Sequence, residues 1–179
     1  MDPAHTHLIL NHIPVVGLGA AILLLLYAFV RKNDEMKKAA LIGFVFLALS
    51  AIPVYLTGGE AEERVEHLPG VSEAFIEEHE EAATSSLIAI EILGALSLAG
   101  LVMTRRSKAV PKWLAVISLV ASVVVAAVMI RTANLGGQIR HTEIRSGYSE
   151  PSQQVGGAED NHQDDEKRER EEREKRNDR

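Results

Sequence analysis

Apolar residues gather in four stretches, approximately residues 8–30, 39–56, 87–103 and 113–130, parted by short charged segments. At about 1.5 Å of rise per helical residue, each is roughly long enough to cross a hydrocarbon core of about 30 Å. Leu, Ile, Val, Ala, Gly and Ser fill them, with none of the period-two alternation of a membrane barrel strand. The pattern predicts an all-α integral membrane four-helix bundle. A soluble bundle would carry a polar face on every helix, whereas Leu18 to Val30 and Leu114 to Ile130 are apolar all round. Met1 to Thr6 has no Lys or Arg, and no small-residue cleavage pattern follows the first stretch. That stretch is therefore expected to be a span and not a cleaved signal.

Punctuation within and between the stretches predicts their ends. Asp2 and Pro3 form a cap and first-turn pair, and Pro14 and Pro53 are places for a bend. Thr57-Gly58-Gly59 and Pro69-Gly70 read as turns. Ser72 reads as the cap of a helix that runs unbroken into the third span, and Gly136-Gly137 as the end of the fourth helix or a point of close backbone packing. Small residues mark the faces on which spans approach: Gly17 and Ala21, Ala95 and Ala99, and Ala115, Ser118, Ser122 and Ala126.

Charge orients this frame. Arg31, Lys32, Lys37 and Lys38 lie between spans one and two, and Arg105, Arg106, Lys108 and Lys112 between three and four. The loop between spans two and three has Arg64 as its one basic residue among nine glutamates. Basic short loops stay cytoplasmic, so N-terminus and C-terminus are both expected to be extracytoplasmic, in a bacterial cell (inner) membrane. Arg131, Arg140, Arg145 and the Arg-rich tail count the other way, but long tails weigh less than short loops. Residues 1–147 form the expected four-span membrane domain. Residues 148–179, ending in the mixed run Asp164 to Arg176, form a polar, charged tail expected to be disordered. Its near balance of signs argues against a nucleic-acid partner. The lipid bilayer is the first partner implied, and a membrane or periplasmic protein the second.

All seven histidines lie on segments that these charges assign to the outer side. With no cysteine in the chain, disulfides, thiolate ligands, iron–sulfur clusters and covalent haem attachment drop out. The sharper expectation is a cofactor or metal site at the outer rim built from His12, His79 and His141. His7 is a further cofactor ligand, and Glu80 and Glu143 are extra metal ligands or orienting partners. Haem b or another transition metal suits such a set, because histidines on facing helices can hold haem axially. The blander reading has the same imidazoles satisfied by backbone and water. No HExxH or other fixed metal spacing decides between them.

Glu91 is the intramembrane acid, read either as a proton relay or bound-ion site or as a structural partner of Arg131. Ser85, Ser86, His79 and Glu80 are near in sequence, but no GxSxG elbow accompanies them, and no catalytic residue or reaction is assigned. The absence of visible internal repetition argues against an inverted-repeat transporter. An accessory or assembly subunit of a membrane complex is the non-catalytic alternative.

His7-Leu8-Ile9-Leu10-Asn11-His12-Ile13-Pro14, Thr57-Gly58-Gly59, His79-Glu80 and Gly136-Gly137 together carry a likeness. Over approximately residues 5–147 the chain resembles a family of uncharacterised bacterial four-helix membrane proteins, a domain of unknown function, in which a His and Pro pattern opens the first helix. The resemblance implies the fold and topology and supplies no established activity. After the paired glycines this chain has Gln138-Ile139-Arg140-His141 where that family favours Leu-Val-Tyr type residues.

Overall fold

The computed structural model describes residues 2–107 and 109–145, the side chains at 106 and 107 excepted. The expected tail lies outside the described residues. Four helices carry the fold: α1 (Pro3–Arg31), α2 (Asp34–Val65), α3 (Glu73–Ser107) and α4 (Lys112–Arg140). A 3-10 turn, η1 (Thr142–Ile144), follows them. All four α-helices are long and apolar enough to cross a membrane, and the described residues contain no strand. Each helix packs on its neighbour in the chain and α1 closes on α4, so α1 and α3 stand on one diagonal of the bundle and α2 and α4 on the other.

Local chemistry sets the ends. The Asp2 carboxylate accepts from the N–H groups of Ala4 and His5 at 3.0 and 3.3 Å, which fits the expected start of α1 at Pro3. Lys32, in the left-handed region at φ 49°, closes α1, and the Asn33 side chain caps α2 by accepting from Met36. Lys37 is buried at this end, ion-paired to Asp34 at 2.9 Å and lying over the Phe29 ring. At the opposite end α3 begins directly after Ser72 and runs without a break through Ser107, as expected.

The turn expected at Thr57-Gly58-Gly59 is absent, and α2 continues through it to Val65. α4 likewise continues through Gly136-Gly137 to Arg140, so that pair is a point of close packing and not the helix end. Glycine weakens a helix by only about 1 kcal/mol relative to alanine, and tertiary packing outweighs that at both places. The small-residue face of α3 also differs from the sequence reading. Ala95 and Ala99 are exposed, and Gly94, Ser97 and Gly100 are the buried positions instead. On α4, Ala115, Ser118 and Ser122 are buried as expected.

The burial pattern repeats. Moving α1 forward by 72 positions, the distance from 7 to 79, lays His7 on His79. The same shift carries the buried Pro14, Leu18, Ala21, Leu25 and Ala28 of α1 onto Ser86, Ile90, Leu93, Ser97 and Gly100, all of them buried. Moving α2 forward by 78 positions, the distance from 58 to 136, lays Gly58-Gly59 on Gly136-Gly137 and carries Lys37, Ala40, Phe44 and Leu47 onto buried Ala115, Ser118, Ser122 and Val125. Leu41, Ala48 and Ala51 then fall on Leu119, Ala126 and Met129, which pack against the core. Both hairpins begin and end at the same end of the bundle. The repeat is therefore parallel, with a pseudo-two-fold axis along the bundle, and it corrects the expectation of no internal repetition.

The two seams between the hairpins are unequal. A Cβ on Gly94 would fall 2.5 Å from the Cβ of Ala48, so α2 and α3 approach as closely as they do only because position 94 is glycine. The equivalent positions on the other seam are Ile22 and Ala126, and the α1–α4 contact is the less extensive of the two.

Candidate functional site

His7 of α1 and His79 of α3 occupy equivalent places at the end of the bundle where the described chain begins and ends. The Nδ1 atom of His7 lies 3.0 Å from the carbonyl oxygen of Val54 and 3.3 Å from the Thr57 hydroxyl. The Nδ1 atom of His79 lies 3.0 Å from the carbonyl oxygen of Thr132. A carbonyl only accepts, so Nδ1 carries the hydrogen in both rings, and in a neutral ring the lone pair is then on Nε2. No hydrogen bond among the described residues engages either Nε2.

Each imidazole also rests on a glycine four residues beyond the carbonyl it binds. A Cβ on Gly58 would lie 3.5 Å from His7 Cε1, and one on Gly136 would lie 2.9 Å from His79 Cε1. Val54 and Gly58, like Thr132 and Gly136, are one helical turn apart and share a face of their helix. Carbonyl and bare backbone thus form a seat for the ring, once in each hairpin. At Gly136 the ring lies closer than a side chain there would allow, while at Gly58 the contact is an ordinary one.

Hydroxyl groups support the two seats. Thr57 Oγ1 donates back to the carbonyls of Pro53 or Val54 at 3.0 and 2.9 Å. Thr132 Oγ1 bonds Ser86 Oγ at 2.8 Å and reaches the Ala82 carbonyl at 3.0 Å, tying α4 to α3 directly beside His79. Tyr55 and Thr84 join α2 to α3 through their hydroxyls at 3.0 Å. His79 precedes the apolar stretch that starts at Leu87 and so lies outside the span. Burial holds its pKa below the ordinary value of 6.5, against an opposing pull from the Thr132 carbonyl, and His7 is near enough for its charge to push the same way as burial. Neutral imidazole is the form that binds metals.

The other expected ligands are not drawn into this pair. His12 is exposed and binds the Leu8 carbonyl of its own helix through Nδ1 at 2.6 Å. His141 is 65% exposed and held at 2.8 Å by Glu143, whose carboxyl stays below its usual range chiefly through its own backbone N–H and then through His141. Glu80 is exposed, near enough to Glu62 to act on its charge. Among the described residues no three His, Asp or Glu side chains come together as a metal-holding group, so His12, His79 and His141 do not form the expected triad. Along the sequence the histidines share only a depth, whereas the direction each ring takes depends on the carbonyl that accepts its Nδ1 hydrogen. Val54, Thr57, Thr132 and Ser86 were missed for this reason. The signal available was the recurrence of a histidine and a glycine pair in each half of the chain.

Glu91 is only partly buried, but its Oε1 atom is enclosed without a hydrogen-bond partner, as are the hydroxyls of Ser97 and Ser118. Arg131 is exposed, and no ion pair among the described residues joins it to Glu91. The expected structural pair is therefore not formed.

Fold and site together define a four-helix bundle of membrane-spanning character with two oriented imidazoles at one end. Compared with models of known protein families, with curated proteins and with solved structures, the chain finds no match.

Proposed function

We propose that this protein lies in a bacterial inner membrane with both termini outside, and that His7 and His79 hold a redox-active metal group, haem b or another transition metal, at the outer face for electron transfer. The observation that carries this reading is the orientation of the rings. Each Nδ1–H is committed to a backbone carbonyl of the adjacent helix while Nε2 is left unengaged, which is the arrangement that fixes the tautomer and raises the basicity of metal-ligating histidines. Burial, which lowers the pKa of His79, favours the neutral ring and so acts in the same direction. The charge difference between the loops supports the outward orientation. Kinship with the uncharacterised four-helix family belongs to the same proposal.

The test is made on protein purified from its native membrane without reconstitution. Elemental analysis is expected to find a transition metal in stoichiometric amount, and the absorption spectrum is expected to change reversibly between oxidant and reductant. Protein free of stoichiometric metal, or metal that does not change oxidation state, would overturn the reading.

A further inference from the structure

We infer that the two hairpins build one ligand site between them, on their pseudo-two-fold axis, and that the ligand is a single iron porphyrin with His7 and His79 as its two axial ligands. This rests on the redox-metal reading above and adds to it the class of cofactor, the coordination number and the identity of both ligands.

Three observations converge. First, the shifts of 72 and 78 positions (79 minus 7, and 136 minus 58) relate ring to ring and seat to seat: His7 with Val54 and Gly58, His79 with Thr132 and Gly136. The two imidazoles are thus equivalent donors, one from each hairpin, on helices that stand diagonally across the bundle. Second, the described residues offer two histidines at this place and gather no group of three His, Asp or Glu. Bare zinc is ordinarily bound by three or four side chains, and copper in electron-transfer sites by three. A porphyrin brings four nitrogens of its own and needs only the axial pair. Third, the other two expected histidine ligands, His12 and His141, have no equivalents. The shift of 72 carries His12 onto Thr84, and that of 78 relates His141 to Glu63, so neither has a twin across the axis. Their Nδ1 atoms are engaged by Leu8 and Glu143 and not by a neighbouring helix.

The experiment is optical and electron paramagnetic resonance spectroscopy of the full chain from native membranes. Wild type is compared with His7→Gln, His79→Gln, the double variant, and His12→Gln and His141→Gln. Wild type is expected to show a Soret band and six-coordinate, low-spin iron. Each single substitution at 7 or 79 should convert the iron to a five-coordinate, high-spin form, and the double variant should lose the porphyrin. The substitutions at 12 and 141 should leave the spectrum unchanged. His7→Met and His79→Met keep a sixth ligand and should remain low-spin with a raised potential, which separates lost ligation from lost folding.

Stoichiometric redox metal without porphyrin would overturn this inference and leave the electron-transfer reading standing. So would high-spin iron in the wild type, or a spectrum that depends on His12 or His141 and is indifferent to His7 and His79. Absence of any metal would overturn both.

Discussion

Gly59 and Gly136 are both helical glycines beyond the apolar stretches, and what lies across from each gives them opposite roles. Nothing comes within 4 Å of a Cβ built on Gly59, while one on Gly136 meets His79. Alanine in place of a helical glycine is worth about 0.5–1 kcal/mol where the added methyl is unopposed. Gly59→Ala is therefore expected to stabilise the protein by about that amount. Gly136→Ala gains the same helix propensity, but its methyl at 2.9 Å from Cε1 must displace a partly buried ring and strain the bond to Thr132. It is expected to lower stability and disturb the His79 site. Unfolding in detergent followed by circular dichroism checks both, and equal shifts in the two variants would contradict the seat described for His79. Glu91 belongs to the same scale. An enclosed carboxyl oxygen without a hydrogen-bond partner costs free energy in an apolar surround, and among the described residues no ion pair offsets it.

Among the elements, the connection between α2 and α3 is held by a residue far away in sequence. Arg145 donates to the carbonyl of Gly70, which has φ 82°, and to the carbonyls of Gln138 and Ile139 at the end of α4, with its guanidinium 4.5 Å from the centre of the Phe75 ring. Charged donors on otherwise unpaired helix-end carbonyls contribute about 1.5–3 kcal/mol each when shielded, and less where water competes, as at Gly70. Arg145→Ala is expected to cost about 1–3 kcal/mol. Hydrogen–deuterium exchange should locate the loss, rising at residues 66–76 and at the last turn of α4 while the apolar parts of the helices stay protected. Uniform protection throughout would mean that the clasp holds nothing. The helices themselves were legible because a nearly uncharged apolar run of spanning length, with no polar face, has no stable place in water and must satisfy its backbone internally in lipid. Their ends were less so. A glycine pair after an apolar run reads as a stop, and nothing local shows that a histidine from another helix packs against Gly58 or Gly136. Arg145 was counted as a charge against the topology, because nothing local shows that its donors are spent on carbonyls.

At the scale of the whole molecule, the repeat went unseen for a physical reason. The two hairpins share positions of burial and not residue identities, so Leu25 corresponds to Ser97 and Phe44 to Ser122. Helices already surrounded by lipid are not selected for apolar contact with each other, and a serine that lets backbones approach serves as well as a leucine that fills space. The parallel repeat has a consequence for sidedness. Both hairpins must enter and leave on the same face, so His7, His79 and the loop around His67 belong to one compartment, and the α1–α2 connection with Glu35 belongs to the other. The proposed assignment of the compartments rests on Arg31, Lys32, Lys37 and Lys38 between the first two apolar stretches, set against the segment between the second and third, in which Arg64 is the one Lys or Arg. A chain without cysteine makes the test direct. The side chains of His67 and Glu35 are 86% and 81% exposed, so cysteine at either place should react freely with any reagent that reaches it. In intact bacterial cells a membrane-impermeant thiol reagent is expected to label His67→Cys and to reach Glu35→Cys only after the membrane is opened. The reverse order would turn the protein over and move the imidazole pair to the cytoplasmic side. Labelling of both from outside would contradict four spans altogether, because α2 alone joins residues 35 and 67, and they can lie on one side only if it fails to cross.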